Sequence, residues 1–401
     1  MINNIKIFSF FAGCGFLDLG FEDTGFEIVY VNEINPSYLN AYRYSRTLMG
    51  YSPPEYGYST AEEGNIEYLL EGESALNLWY LIQDARKSSD FVGFIGGPPC
   101  PDFSVGGKNR GKYGDQGKLS SSYVELIGQH QPDFFVFENV KGLYKTQKHR
   151  LFFEQLKAQL NEFGYILTEH LINAMGYGVP QNRERIILIG FSKKLMNGLG
   201  WSGYFKKDSI PSIYFPWNLS IIYPKEQVFS LPWPSNEPFG ENSVIPCPDE
   251  IIEELTVEYW FNQNNVNHHP NAQNYFKPRA GLQKFLSIAE GDDSRKSYKR
   301  LHRWRYSPTA CYGNNEVHLH PYKARRLSAA EALAIQSLPK NFCLPEQMSL
   351  TDMFKVIGNG VPYLASKGIA NSIMTFLSHP IQLWNTEQDS VYQLELPLSL
   401  A

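Results

Sequence analysis

Cysteine is scarce in this chain. Five occur in 401 residues, Cys14, Cys100, Cys247, Cys311 and Cys343, and no two form a CxxC pair. An odd, scattered set excludes a disulfide framework and a structural zinc centre, and it fits a reducing compartment. His268 and His269 stand together, but no cysteine or acid pair accompanies them at ligand spacing, so no metal is expected. Charge is thin as well. Asp, Glu, Lys and Arg make up 19% of the residues and the formal net charge is −5. Long disordered stretches are therefore unexpected, and any surface for nucleic acid has to be local. No apolar run approaches the ~20 residues of a membrane-spanning helix. The opening "MINNIKIFSFFAGCG" is too short for such a helix, and its glycines lead into a helical pattern, so it reads as a first strand and not as a targeting segment. A soluble, cytoplasmic protein is expected. Internal repeats and low-complexity tracts are also missing.

What is present is a globular composition, 43% hydrophobic and 14% aromatic, enough for one large domain and a smaller one. Strand-like and helix-like segments alternate through residues 1–192. "KIFSFF", "EIVYVNE", "FVGFIGG", "DFFVFENV", "YILTEHLINA" and "RERIILIGFS" read as strands, while "PSYLNAYRYS" and "HRLFFEQLKAQLNEFG" carry helical spacing. This rhythm predicts an α/β fold with a doubly wound, mainly parallel sheet. From about residue 193 the rhythm stops, and a tract rich in proline, aromatics and short β-like runs begins. Residues 193–345 are expected to form a smaller, irregular, β-rich domain, and residues 346–401 to return to the first. Late in residues 193–345 helical order resumes, and "RRLSAAEALAIQSLP" places Ser328 and Glu331 as a capping box.

Three stretches carry candidate chemistry. "FAGCG" (residues 11–15) sits between a strand and a helix, where glycines let backbone approach a ligand and the helix start favours negative charge. Glu33, twenty positions after Gly13, ends the next strand, where a carboxylate takes ribose hydroxyls. The absence of GxGxxG argues against a diphosphate cofactor and a nicotinamide dehydrogenase, and suits S-adenosylmethionine. "GGPPCPDFS" (residues 96–104) holds Cys100 in a stiff loop after a strand. "FENV" brings Glu138 to the carboxyl end of a buried strand, where ligands bind in such sheets. In "QNRERII", Arg183 and Arg185 share one strand face and Glu184 takes the other.

These motifs, with "GNGV" near the end, follow one another in an order that closely resembles the cytosine-5 DNA methyltransferase family of the restriction-modification type. The resemblance runs through nearly the whole chain except about 193–301. It implies that Cys100 is the nucleophile that adds to carbon 6 of cytosine, that Glu138 contacts ring nitrogen N3 and the exocyclic amine, and that Arg185 holds O2. Arg183 is expected on backbone phosphate or on the catalytic loop. Phe11, Gly13, Cys14, Gly15, Phe16 and Glu33 would line the S-adenosylmethionine pocket. Ile34, Asn65 and Ile66 would lie at adenine, Pro99 and Leu119 near the methionine end, and Asn359 and Val361 would close the pocket. The substrate implied is double-stranded DNA with the target base flipped out. The functional partner implied is a cognate restriction endonuclease, and the protein itself is expected to be a monomer. A tRNA-directed member of the family and a decayed DNA-binding homologue are the alternatives; the long recognition region opposes the first, the intact Cys100, Glu138 and Arg185 set the second.

For DNA contacts, Ser104 and Lys108 follow the cysteine in a glycine-rich loop suited to a lid. "RKSYKRLHRWRY" offers Arg295, Lys296, Lys299, Arg300, Arg303 and Arg305 with three aromatics and no acid, a phosphate-contacting stripe. The acidic "PDEIIEELTVEYW" reads as a helix turned from the DNA. Three positions depart from the family's pattern: Pro101 replaces a glutamine, Asn65 an aspartate and Gly360 a serine.

Overall fold

The computed structural model describes residues 4–57, 64–99, 115–205, 208–278, 281–312 and 316–378. Six strands form the central sheet: β1 (Ile5–Phe10), β2 (Glu27–Asn32), β3 (Phe91–Gly96), β4 (Phe134–Val140), β5 (Tyr165–Asn173) and β7 (Glu184–Ser192), in the order β2-β1-β3-β4-β7-β5. β1, β2, β3 and β4 pair in parallel, while β7 runs antiparallel to both β4 and β5. The expected mainly parallel α/β sheet is present, with β7 as its reversed strand. The strands are apolar almost throughout because both faces are covered.

Alternation along β4 assigns the faces. Phe134 and Val136 enter a first core, while Phe135 and Phe137 enter a second. The helices α1 (Phe16–Glu22) and α2 (Pro36–Met49) contribute to the first core; α3 (Gly72–Lys87), α4 (Asp115–His130), α5 (Lys141–Lys145) and α6 (Gln147–Glu162) contribute to the second. The next helices are short: α7 (Lys193–Gly198), α8 (Lys225–Ser230), α9 (Val257–Gln263), α10 (Leu282–Leu286) and α11 (Ala329–Ile335). α12 (Leu350–Asn359) and α13 (Tyr363–Ser378) follow, and α13 returns to the first core beside α1 through Ile369, Ile373 and Phe376. The capping box of α11 is formed: Glu331 N–H donates to Ser328 Oγ at 3.3 Å and Ser328 N–H to Glu331 Oε2 at 2.7 Å.

The β-rich character expected of residues 193–345 is not met. Its described residues hold one two-residue strand, β8 (Ser307–Pro308), paired with β6 (Gln181–Asn182), and a few isolated bridges. Prolines at 211, 216, 224, 232, 234, 238, 246 and 248 remove the donors that a ladder needs. The acidic stretch is likewise broken, into the single turn Glu253–Leu255 and α9, whose N-cap is Thr256.

The apolar clusters in this interval are small. One has Phe285, Ile288 and Leu319 as its buried members. Buried arginines organise the rest. Arg300 donates to the carbonyls of Ile288 at 2.9 Å and Phe285 at 2.5 Å, and to His320, and lies over the Phe239 ring. Arg303 donates through Nε and Nη2 to the two oxygens of Glu290, at 2.8 and 2.7 Å, with both side chains buried. A third core joins α1 to α9, α11 and α12 and includes Cys14, Phe16, Phe261, Leu333 and Phe354.

Candidate active site

Glu138 and Arg185 meet at the carboxyl end of β4. Antiparallel pairing sets Val140 opposite Arg185 and Glu138 opposite Ile187, so the two charged residues are diagonal neighbours on one face. Arg185 Nε lies 2.9 Å from Glu138 Oε1. The approach is an ion-pair contact and not an aligned hydrogen bond, so Oε1 is left without a donor among the described residues. Burial pushes the Glu138 carboxyl upward in pKa, against the opposing pull of Arg185 and Arg183. A side chain at Gly97 would put its Cβ 2.9 Å from Glu138 Oε2, so any residue but glycine in the loop after β3 would have to displace this carboxyl. Asn139 fixes the same loop: its Nδ2 donates to the Pro98 carbonyl at 3.3 Å, and its Oδ1 accepts from Val140 N–H at 2.8 Å. Cys100, Ser104 and Lys108 lie outside the described residues, as does Pro101.

The cofactor candidates gather at the ends of β1 and β2. Gly13 (φ +59°) and Gly15 (φ +81°) take left-handed conformations that turn the chain into α1. Gly13 N–H donates to Glu33 Oε2 at 3.0 Å and Asn35 N–H to Oε1 at 2.9 Å, which ties the turn to the second strand. Burial raises the pKa of Glu33 and these donors lower it. Ile34 is 54% exposed beside it, an apolar side chain left open among the described residues. Asn65 Oδ1 accepts from Glu67 N–H at 3.2 Å, capping the single turn Ile66–Leu69. The carbonyl that would replace the family's carboxylate thus already has one donor. Phe11 is half-buried, Leu119 is packed partly against the second core, and Pro99 and Asn359 are exposed. Cys14 and Phe16 do not line the turn: both side chains are buried in the third core and contribute backbone only. Ile66 and Val361 are buried in the second and first cores, so they shape the walls from behind.

Two supports went unrecognised in the sequence. Arg46, fully buried, donates through Nη2 to the Gly15 carbonyl at 2.6 Å and through Nε to Glu22 at 2.8 Å, and stacks on Tyr42. Asp18 accepts from Ser9 Oγ and Tyr42 Oη, each at 2.9 Å. This polar cluster holds the glycine turn from below. Its only sequence signal is Asp18, an acid inside the apolar run "FLDLGF".

What decides the family is a match over almost the entire described chain. A family model for C-5 cytosine-specific DNA methylase matches residues 5–375. The chain belongs to this family. It is 56% identical over 381 residues to the Type II methyltransferase M.NmeDI of Neisseria meningitidis serogroup C, covering 95% of this chain and 86% of that protein. It is 28% identical to the Type II methyltransferase M.FnuDI of Fusobacterium nucleatum, covering 92% of this chain and 95% of that one. Among solved structures, the S. pombe Dnmt2 methyltransferase shares the fold with a TM-score of 0.56 and 13% identity, covering 94% of this chain and 98% of that chain.

In this methylase the expected basic stripe divides. Arg295 and Lys296 are exposed and Lys299 is half-buried, but Arg300 and Arg303 are buried on carbonyls and on Glu290. Arg305 Nη1 reaches Asn236 Oδ1 at 3.1 Å. The interior of a domain with little apolar core has taken the guanidinium groups that spacing alone offered to phosphate. For Arg183 the phosphate alternative is corrected in the same way, while the catalytic loop, its other expected partner, lies outside the described residues. Arg183 is fully buried and donates to the carbonyls of Ala310 at 3.1 Å and Gly358 at 2.9 Å, so it braces the C-terminal segment and reaches no phosphate surface. Glu184 points the other way from Arg185, as expected, and pairs with Lys141 and Lys225.

Gly360, the departure from serine, has a physical reason here. A Cβ at this position would stand 2.2 Å from Phe16 Cδ2. Restoring serine is expected to cost about 1–3 kcal/mol of stability through overpacking. Gly360→Ser combined with Phe16→Ala should be less damaging than the sum of the two single changes. Urea unfolding of the four proteins measures this coupling; strict additivity would show that the ring does not dictate the glycine.

Proposed function

We propose that this methylase methylates carbon 5 of a cytosine flipped out of a specific double-stranded DNA sequence, with S-adenosylmethionine as donor. The observation that carries the reading is the Glu138–Arg185 pair at the carboxyl end of β4, a buried carboxyl held 2.9 Å from a guanidinium. That is the group a cytosine amine or protonated N3 satisfies, while the neighbouring guanidinium offers planar donors for O2. Cys100, carried over from the family's motif, supplies the thiolate that bonds to carbon 6 and makes carbon 5 nucleophilic; the bond breaks again when the carbon 5 proton leaves. Glu138 shares its proton with the ring as negative charge develops there, a task suited to a carboxyl whose pKa burial has raised.

The residues at the ends of β1 and β2 fit S-adenosylmethionine. Glu33 presents a buried carboxylate for ribose hydroxyls, Ile34 an exposed apolar surface for adenine, and Gly13 a turn where even an added Cβ would meet no described atom closer than Val356 Cγ2 at 3.5 Å. When bound, the cofactor supplies an electrophilic methyl group. Arg46 and Asp18 hold the backbone that faces it.

Both curated relatives are named Type II methyltransferases, which supports a protective role beside a cognate restriction endonuclease. Among the described residues no helix is long and apolar enough to cross a membrane. Bisulfite sequencing of DNA from a host expressing the chain is expected to show protected cytosines at one recurring sequence. DNA carrying 5-fluorocytosine at that site should become covalently attached through Cys100, as peptide mapping would locate. No converted site, or no adduct, refutes the reading.

A further inference from the structure

With Arg300 and Arg303 occupied inside the recognition region, Arg295, Lys296 and Lys299 of the expected stripe stay accessible, and further cations are needed to meet a DNA backbone. One acid-free set follows the Glu138 carboxylate directly. From Asn139 to Phe153 the chain contains Lys141, Lys145, Lys148 and Arg150 and no Asp or Glu. These residues lie on α5 and at the start of α6, at the same sheet edge as Glu138 and Arg185. Lys141, Lys145 and Lys148 are exposed. Lys141 pairs with Glu184, the residue next to Arg185, and Lys225 reaches the other oxygen of the same carboxylate at 3.2 Å. That carboxylate is held below the usual range: burial works against it, but its two lysines outweigh burial. Four lysines and one carboxylate leave the patch strongly positive on a chain of net charge −5. Arg150 is turned aside, onto the Tyr144 ring and Glu154.

Local helix rules oppose this arrangement. α6 has no acid in its first turn, and its N-cap Thr146 makes no side-chain hydrogen bond. Lys148 and Arg150 stand where the helix dipole disfavours cations, at roughly 0.3–1 kcal/mol each. Arg150 is compensated by Tyr144 and Glu154, but Lys148 pairs with no carboxylate among the described residues, a local conflict of the kind found at binding sites.

We infer that Lys141, Lys145 and Lys148 form a docking surface for the phosphate backbone of the DNA whose base enters the Glu138 site. Glu184 holds Lys141 and Lys225 beside that site, on the face of β7 opposite Arg185, so a duplex lying across the sheet edge meets both faces. The inference rests on the proposed DNA substrate. Contacts of this kind are independent of sequence, position the duplex and make binding salt-dependent.

The test uses the whole protein and plasmid DNA from a host lacking cytosine methylation. Lys145→Gln with Lys148→Gln removes two cations that pair with no carboxylate among the described residues. The slope of log binding constant against log salt is expected to flatten by about 1.8. Between 50 and 200 mM salt the variant should therefore lose roughly tenfold less affinity than the wild type. Its KM for DNA should rise, with kcat at saturating DNA and S-adenosylmethionine affinity unchanged. Lys145→Arg with Lys148→Arg should restore the slope. An unchanged slope in the glutamine variant overturns the inference, as does a flattened slope that arginine fails to restore. Failure of the wild type to methylate any DNA would instead strike the substrate on which the inference rests.

Discussion

Replacing Glu138 by Gln is expected to lower the single-turnover methylation rate by roughly 10²–10⁴-fold, the range for removal of a positioned proton donor. Glutamine keeps the shape and a donor but has no proton to share with the ring. The fold should survive, because Arg185 keeps its bond from Nη1 to the Glu184 carbonyl at 2.9 Å and lies near the surface edge of the sheet. Cofactor affinity should also survive, since Glu138 touches none of the residues at the ends of β1 and β2. The pH dependence separates this role from a packing one. Burial raises the carboxyl's pKa, so its protonated form persists above the usual carboxylate range and disappears as pH rises further. The wild-type rate should therefore lose the contribution of Glu138 on the alkaline side, and the glutamine variant should lack that limb. Tritiated methyl transfer to plasmid DNA measures both. A rate within threefold of wild type would remove Glu138 from the chemistry.

The second large effect concerns stability. Glu290→Ala leaves the Arg303 guanidinium buried without its carboxylate. Removing one partner of a buried pair costs about 3–5 kcal/mol, because the remaining charge has lost its solvent and its counterion together. The other bonds of Arg303, to Ser243 Oγ at 2.8 Å and to the Ser243 carbonyl at 2.5 Å, do not neutralise it. Replacing both partners, Glu290→Leu with Arg303→Met, should recover much of the loss. The pair also predicts an acid sensitivity. Burial alone would raise the Glu290 pKa, but Arg303 outweighs it and holds the carboxyl below its ordinary value. Its stabilisation is complete above the ordinary carboxylate range and is lost as pH falls through the lowered value. Thermal unfolding across pH checks the slope, and a Glu290→Ala protein that melts with the wild type would show the pair to be ornamental.

These two residues also show how far a sequence can be read. Glu138 and Arg185 were legible because strand alternation and the position at a strand's end depend only on local order. The turn at Gly13 and Gly15 and the Ser328 cap were legible for the same reason. Arg183, Arg300 and Arg303 were not. A guanidinium suits a phosphate, a carboxylate and a cluster of carbonyls equally well, and what decides among them is burial, which depends on segments far apart in the chain. Arg183 reaches Ala310 and Gly358, 127 and 175 positions away. The proline-rich interval misled in the other direction: its short apolar runs looked like strands, but the prolines between them left the backbone too few donors for ladders.

The return of α13 to the first core has a consequence for how the enzyme is made. Ser366 Oγ bonds the Leu17 carbonyl, and the Tyr363 hydroxyl bonds Asp23, so the helix that begins at the glycine turn is completed by the last described helix. A nascent chain cannot close this core until residues near 376 have left the ribosome, after about 20–80 s of synthesis for 401 residues at typical bacterial and eukaryotic speeds. Until then its central strands lack part of one covering layer, and contacts spanning 340 and 349 positions remain unmade. Contacts of such sequence separation slow folding, and the glycine turn gains its full support only once α13 has docked.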